Sequence, residues 1–153
     1  MKTAEDHQDR TVNRLRFSYY AGTLWIVLPS GRALAFLKPR LAPNRFGHMS
    51  LTFEGTGSTE GGGAWGRQET YGGKIVENCT QGIARDLLVD AILRMEKAGL
   101  EIVAHVHDEV IIESPIGAHT VDEICDLMAV NPPWADGLPL AADGYRGDFY
   151  FKS

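Results

Sequence analysis

Four side chains able to do chemistry crowd into one short stretch: His105, His107, Asp108 and Glu109, within AHVHDEVIIESP (104–115). Adjacent carboxylates on a rigid turn repel each other, and a divalent cation removes that cost. Oxygen donors of this kind suit Mg²⁺ or Mn²⁺, with waters and substrate phosphates completing the shell. His105-x-His107 is also a pattern that barrel metallohydrolases use. An Asp-Glu pair in a surface turn can equally be a solvated tip with no further role.

The flanking residues place the group. LEIVAHV (100–106) and VIIES (110–114) read as two strands, with His107, Asp108 and Glu109 at the tip between them. Strict alternation puts Ile102, Ala104 and Val106 on one face, and Val103 and His105 on the other. Tight hairpins favour Asn-Gly or Asp-Gly because they need positive φ. No glycine is present, although His and Asp tolerate that region better than most residues. The turn chemistry therefore points to side chains chosen for another purpose.

Before the hairpin comes the clearest helix, over residues 74–98. Ile75, Cys79, Ile83, Leu87, Ala91 and Met95 recur every four residues, and Gly99 is placed to end it. Lys74, Asn78, Gln81 and Arg85 form a polar stripe on the same segment, which by itself is the pattern of a solvated face. Upstream, residues 4–20 read as a helix, so that 1–22 is a helical or linker segment. Residues 24–37 read as a peripheral hairpin about Pro29-Ser30-Gly31, 38–48 as a loop with two prolines, and 49–53 as a strand. GTGSTEGGG (55–63) reads as a flexible loop. Residues 121–128 read as a helix, and 138–142 and 145–151 as short final strands. The fold class expected is α+β: an antiparallel sheet holding the 101–114 hairpin and the final strands, with the 74–98 helix on one face.

Composition is that of an ordinary globular protein, with 44% hydrophobic and 23% charged residues among 153. No apolar run is long enough to span a membrane. The polar N-terminus lacks the apolar core of a secretory signal. Cys79 and Cys125 read as free thiols in a reducing cytoplasm. A formal net charge of −5 gives no whole-chain electrostatic case for nucleic acid.

HVHDEV, following a long helix that contains ENCTQGIARDLL, resembles motif C of the family A DNA polymerases, closest to their phage-type branch. LPSGRAL (28–34), TYGGKIVEN (70–78), QGIARDLLVDAILRME (81–96) and PPWADGLPLAADGY (132–145) resemble further segments of that family in the same order. The resemblance runs from about residue 20 onward and implies that 23–153 is the C-terminal part of a polymerase palm. It implies template-directed nucleotidyl transfer with two magnesium (or manganese) ions. Asp108 would be the metal-binding catalytic carboxylate, Glu109 its neighbour nearer the outer shell, and His107 a contact to the primer end. His105 stands where many relatives carry glutamine, and packing within the strand accounts for it.

On the helix, Gln81 matches a family glutamine that reaches the DNA minor groove. Four and eight residues earlier many relatives have asparagine and arginine, where this chain has Glu77 and Gly73. Asn78 and Lys74 lie one residue later, about 100° around the helix. With Arg85 they form the DNA-binding set the resemblance implies.

No segment resembles the family's motif A strand, and no Arg-x₃-Lys-x₆-Tyr fingers pattern occurs. The chain is therefore expected to be inactive alone, whether a truncated gene or one half of a split enzyme. Its expected partners are primer-template DNA, dNTP in the complete enzyme, the missing polymerase portion, and a second copy in a homodimer. The competing readings are a non-catalytic DNA- or protein-binding remnant, and a small metal-dependent hydrolase. An unaided barrel hydrolase would need about 250 residues.

Overall fold

The computed structural model describes residues 2–44, 46–57 and 63–150. The chain forms two compact units, Met1–Ile83 and Ala84–Ser153. The architecture is α+β, as expected.

The first unit opens with helix α1 (Lys2–Asp6). Six strands follow: β1 (Arg10–Val12), β2 (Leu15–Tyr20), β3 (Thr23–Val27), β4 (Ala33–Pro43), β5 (Met49–Thr56) and β6 (Trp65–Thr70). They form one antiparallel sheet in sequence order, a meander. The expected helix over 4–20 is therefore corrected. Only its first residues are helical, and the rest is two strands joined at Asn13 (φ 52°). Ala21 and Gly22 both take positive φ, 50° and 74°, the pattern of a type I′ hairpin turn. The 24–37 hairpin is not peripheral either: β3 and β4 are the two central strands.

The expected loop at 38–48 also gives way, because β4 continues to Pro43. Its pairing with β5 slips between Leu37 and Arg40, leaving Lys38 and Pro39 without ladder partners. Lys38 sits at φ 43°. This irregularity is where a proline, lacking an N–H, does least harm. Strand β6 was not anticipated, because WGRQET offers no apolar alternation. Within the expected glycine-rich loop, 55–56 end β5 and 58–62 lie outside the described residues.

Helix α2 (Gly72–Lys97) begins in this unit. Cys79, flanked by Ile75 and Ile83, packs among Leu24, Ile26, Leu28, Phe36 and Leu51 of the sheet. Full burial of Ile26 and of Leu51 is worth about 1.5–3 kcal/mol each. Phe36 and Phe53 meet edge to face, 5.1 Å between centroids. Burial also pushes the Cys79 thiol up.

The second unit holds the rest of α2, then β7 (Glu101–Val106), β8 (Glu109–Glu113), α3 (Val121–Met128) and a 3₁₀ turn (Pro133–Ala135). Helix α2 ends in a Schellman arrangement. Gly99 takes φ 88°, and the Leu100 and Gly99 amides donate to the carbonyls of Met95 and Glu96. Ala91, Met95 and Leu100 are buried against Ile102, Val110 and Ile112 of the hairpin and Ile124, Leu127 and Met128 of α3. Arg94 pairs with Asp90 and donates through Nη1 to the Leu127 carbonyl at 2.7 Å, which satisfies the last turn of α3.

The hairpin β7–β8 is a two-stranded sheet of its own. The expected sharing of a sheet with final strands at 138–142 and 145–151 is corrected: no strand forms over 138–150, and 151 lies outside the described residues. Leu138 shows why. Its amide donates to the Ala135 carbonyl and its own carbonyl accepts from Asn131 Nδ2, so its backbone is committed to a turn.

Candidate active-site hairpin

The tip is a two-residue loop. Val106 pairs with Glu109, leaving His107 and Asp108 to make the turn, with His107 at φ 54°. Glu109 is thus the first residue of β8 and not part of the loop. His107, Asp108 and Glu109 are all exposed. Among the described residues the Asp108 carboxylate has no hydrogen-bond or ion-pair partner.

Pairing along the hairpin slips once, between Ile102 and Ala104, so that Val103 is an extra residue. The slip changes the faces expected from alternation. His105 opposes Val110 and shares a side with Ile102 and Ile112, the side that packs on α2. It lies beyond the end of that core and is exposed, so the expectation of a strand histidine held by packing is corrected. Its neighbour is Arg85 of α2. Arg85 Nη1 is 3.3 Å from His105 Nδ1, and Nη2 is 3.3 Å from Nε2. A neutral imidazole has one acceptor nitrogen, so at most one of these approaches is a hydrogen bond.

On the opposite side of the hairpin, Tyr150 donates from its hydroxyl to Glu109 Oε2 at 2.9 Å. That bond pushes the Tyr150 phenol above the usual tyrosine range, with burial contributing less. Sequence reasoning missed this residue. The contact joins positions 41 apart, and nothing local marks it.

The helix candidates divide between the units. Arg85 belongs with the hairpin. Lys74, Asn78 and Gln81 lie in the first unit, on the part of α2 that packs on the six-stranded sheet. Lys74 Nζ bonds Glu77 Oε1 at 2.8 Å, which raises the lysine. Glu77 thus neutralises the cation beside it. Gln81 is exposed and Asn78 half-buried, and neither side chain has a hydrogen-bond partner among the described residues.

A divalent metal would find suitable oxygen donors at Asp108 and Glu109, but too few. Among the described residues no three His, Cys, Asp or Glu side chains gather so as to hold a metal ion. Glu109 already accepts from Tyr150, and the Arg85 guanidinium lies against the His105 ring.

No family model and no solved structure matches the chain. A DNA polymerase of Bacillus phage SP02 is 46% identical over 139 residues, which are 90% of this chain. The chain spans about a fifth, 21%, of that protein's length. No helix among the described residues is long and apolar enough to cross a membrane. By sequence, the chain is similar to a stretch about one-fifth the length of this phage DNA polymerase.

Proposed function

We propose that residues 23–153 are the C-terminal palm portion of a family A DNA polymerase, bearing the motif C carboxylate Asp108. One observation carries this reading: the uncommitted Asp108 carboxylate sits at the loop of a tight hairpin within a sequence 46% identical to a phage DNA polymerase. In the complete enzyme the activity is template-directed nucleotidyl transfer, which asks the protein chiefly for positioning and charge neutralisation. Magnesium or manganese, when bound, neutralises phosphate charge there. Asp108 is the chain's own contribution to holding it, and Glu109 is the adjacent carboxylate that Tyr150 orients.

His107, projecting from the same loop, contacts the primer end. Gln81, Asn78, Lys74 and Arg85 face the minor groove of primer-template DNA, where acceptors common to all base pairs are presented. Lys74 reaches DNA only by exchanging Glu77 for a phosphate. Motif A and the nucleotide-gripping fingers lie outside residues 1–153. The protein works in the cytoplasm of a bacterium, from a bacterial or phage gene.

Two assays test the reading. The purified chain with Mg²⁺, dNTPs and a primed template gives no extension, and robust extension would refute its incompleteness. A chimera with this chain replacing the matching stretch of the phage SP02 polymerase extends primers, and Asp108→Asn in it abolishes extension. A folded chimera indifferent to Asp108→Asn would refute the catalytic assignment.

A further inference from the structure

The six-stranded sheet has two unlike faces. One packs on α2. On the other, register aligns Tyr20, Thr23, Leu37, Glu54 and Arg67 in one row across β2 to β6. The central strand β4 shows that this second face is open: Ala33, Ala35 and Leu37 are exposed, while Leu34 and Phe36, between them, face the core. Among the described residues the row of β4 on this side is exposed, whereas Thr23 of β3 and Ser50 and Thr52 of β5 on the same side are buried.

What decorates that face is not a random polar surface. It carries Arg16, Tyr20, Trp25, Arg40, Trp65 and Arg67, placed on one side by their opposed partners Val27, Thr23, Ser18, Thr52, Thr56 and Glu54. Tyr20 is 75% exposed and Trp65 62% exposed, far more than large aromatics usually are. Trp25 lies between Ser18 and Ala35, small residues that leave its ring reachable across the sheet. Glu54 and Glu69 are the opposing charges. Glu54 is held by Lys38 at 2.7 Å and Arg67 at 3.4 Å, and Glu69 accepts from Ser50 at 3.0 Å. Arg16 and Arg40 are exposed and in no ion pair among the described residues.

The net charge of −5 conceals a division that favours an anion here. Residues 1–83 carry ten Lys and Arg against seven Asp and Glu, a net +3. Residues 84–153 carry five against thirteen, a net −8.

We propose that this open face binds single-stranded nucleic acid. Exposed aromatics on a sheet are stacking platforms for unpaired bases, and arginines between them follow the phosphates. Four strand spacings separate β2 from β6, about 19 Å. A few nucleotides laid across the strands would meet Tyr20, Trp25 and Trp65 in turn. The surface is distinct from the hairpin and does not depend on the catalytic role of Asp108.

Fluorescence anisotropy of a labelled oligothymidylate, titrated with the full chain at low salt, tests it. The chain binds the oligomer, and Tyr20→Ala/Trp65→Ala weakens binding at least about tenfold. Arg16→Gln/Arg40→Gln lowers the slope of log affinity against log salt by about 0.7 for each phosphate left without its arginine. No binding by the wild type, or unchanged binding by the folded aromatic variant, overturns the proposal. So does loss of self-association in light scattering with no oligomer bound, which would make the face a protein interface. If circular dichroism shows the aromatic variant unfolded, the arginine variant decides, and an unchanged salt slope overturns the proposal. Primer extension reads the catalytic assignment separately, so either idea can fail alone.

Discussion

Arg32 donates from Nη2 to the backbone carbonyl of Gly82, 2.7 Å away and 50 residues further along the chain. Two of the motifs that carry the polymerase resemblance, LPSGR and QGIAR, are therefore one packing unit. A Cβ built on Gly82 would lie 2.8 Å from Leu28 Cδ1 and 3.2 Å from Arg32 Nη2. The glycine is present because the β3–β4 turn presses against the helix there. Leu28 is 2% exposed and has little room to withdraw.

Gly82→Ala accordingly destabilises the protein despite better helix propensity. The propensity gain is about 1 kcal/mol, and overpacking typically costs about 1–3 kcal/mol. A net loss of about 1 kcal/mol, read as a lower urea midpoint, is expected. A raised midpoint would show that Leu28 yields freely.

Helix α3 begins with a reciprocal cap. The Glu123 amide donates to Thr120 Oγ1 at 3.2 Å, and the Thr120 amide donates to Glu123 Oε2 at 2.8 Å. These bonds hold the Glu123 carboxyl below the usual glutamate value of 4.5. The unfolded chain therefore takes up this proton first on acidification. The cap's contribution is complete above the unfolded value and is lost as pH falls through the folded one. Urea midpoints measured between neutral pH and pH 3 should fall less steeply in Glu123→Gln than in wild type.

Tyr150 titrates the other way. Its phenol is raised above the ordinary value of 10 by the bond to Glu109. The linked stability is present below that value and is lost as pH rises through the folded one. Ultraviolet absorbance of the five tyrosines should show one late phenolate, and Glu109→Gln should move it earlier. No change in that variant would mean the Tyr150–Glu109 bond does not form in solution.

With a partial donor set, the hairpin should bind Mn²⁺ weakly, at millimolar concentrations or above. Paramagnetic broadening of amide signals should centre on residues 106–110 and disappear in Asp108→Asn. Tight binding of zinc, focused on His105 and His107, would instead support the hydrolase alternative.

Strands β7 and β8 pair only with each other among the described residues, so each keeps an open edge. Open edges invite pairing with another chain. Multi-angle light scattering is expected to find a homodimer, and a monomer at every concentration would remove that expectation.

The parts legible in the sequence were those with a strong local signature. The four-residue recurrence from Ile75 to Met95 announced α2, and β-branched runs either side of His107-Asp108 announced the hairpin. Residues 10–20 were misread although Leu15, Phe17 and Tyr19 alternate with Arg16 and Ser18, because the run is short and the Asn13-Arg14 turn that splits it carries no glycine or proline. Pro39 and Pro43 hid the length of β4, since nothing local signals a slip that can house a proline. At the site, Asp108 and His107 were placed correctly at the tip. The environment of His105 was not, because one inserted residue, Val103, turns everything after it to the other side. Tyr150 was invisible for a different reason: its role comes from tertiary proximity alone.

The meander order of the first unit also bears on how it reaches its native state. Each of the six strands pairs with its sequence neighbour, so every ladder closes a short loop at little entropic cost. Sheets of such low contact order assemble quickly, hairpin by hairpin. The Arg32–Gly82 contact instead waits for a 50-residue closure. Docking of α2 is therefore expected late, so that in the transition state for folding Gly82 should behave as unformed and Ala21 and Gly22 as already turned, which φ-value measurements at these positions would check.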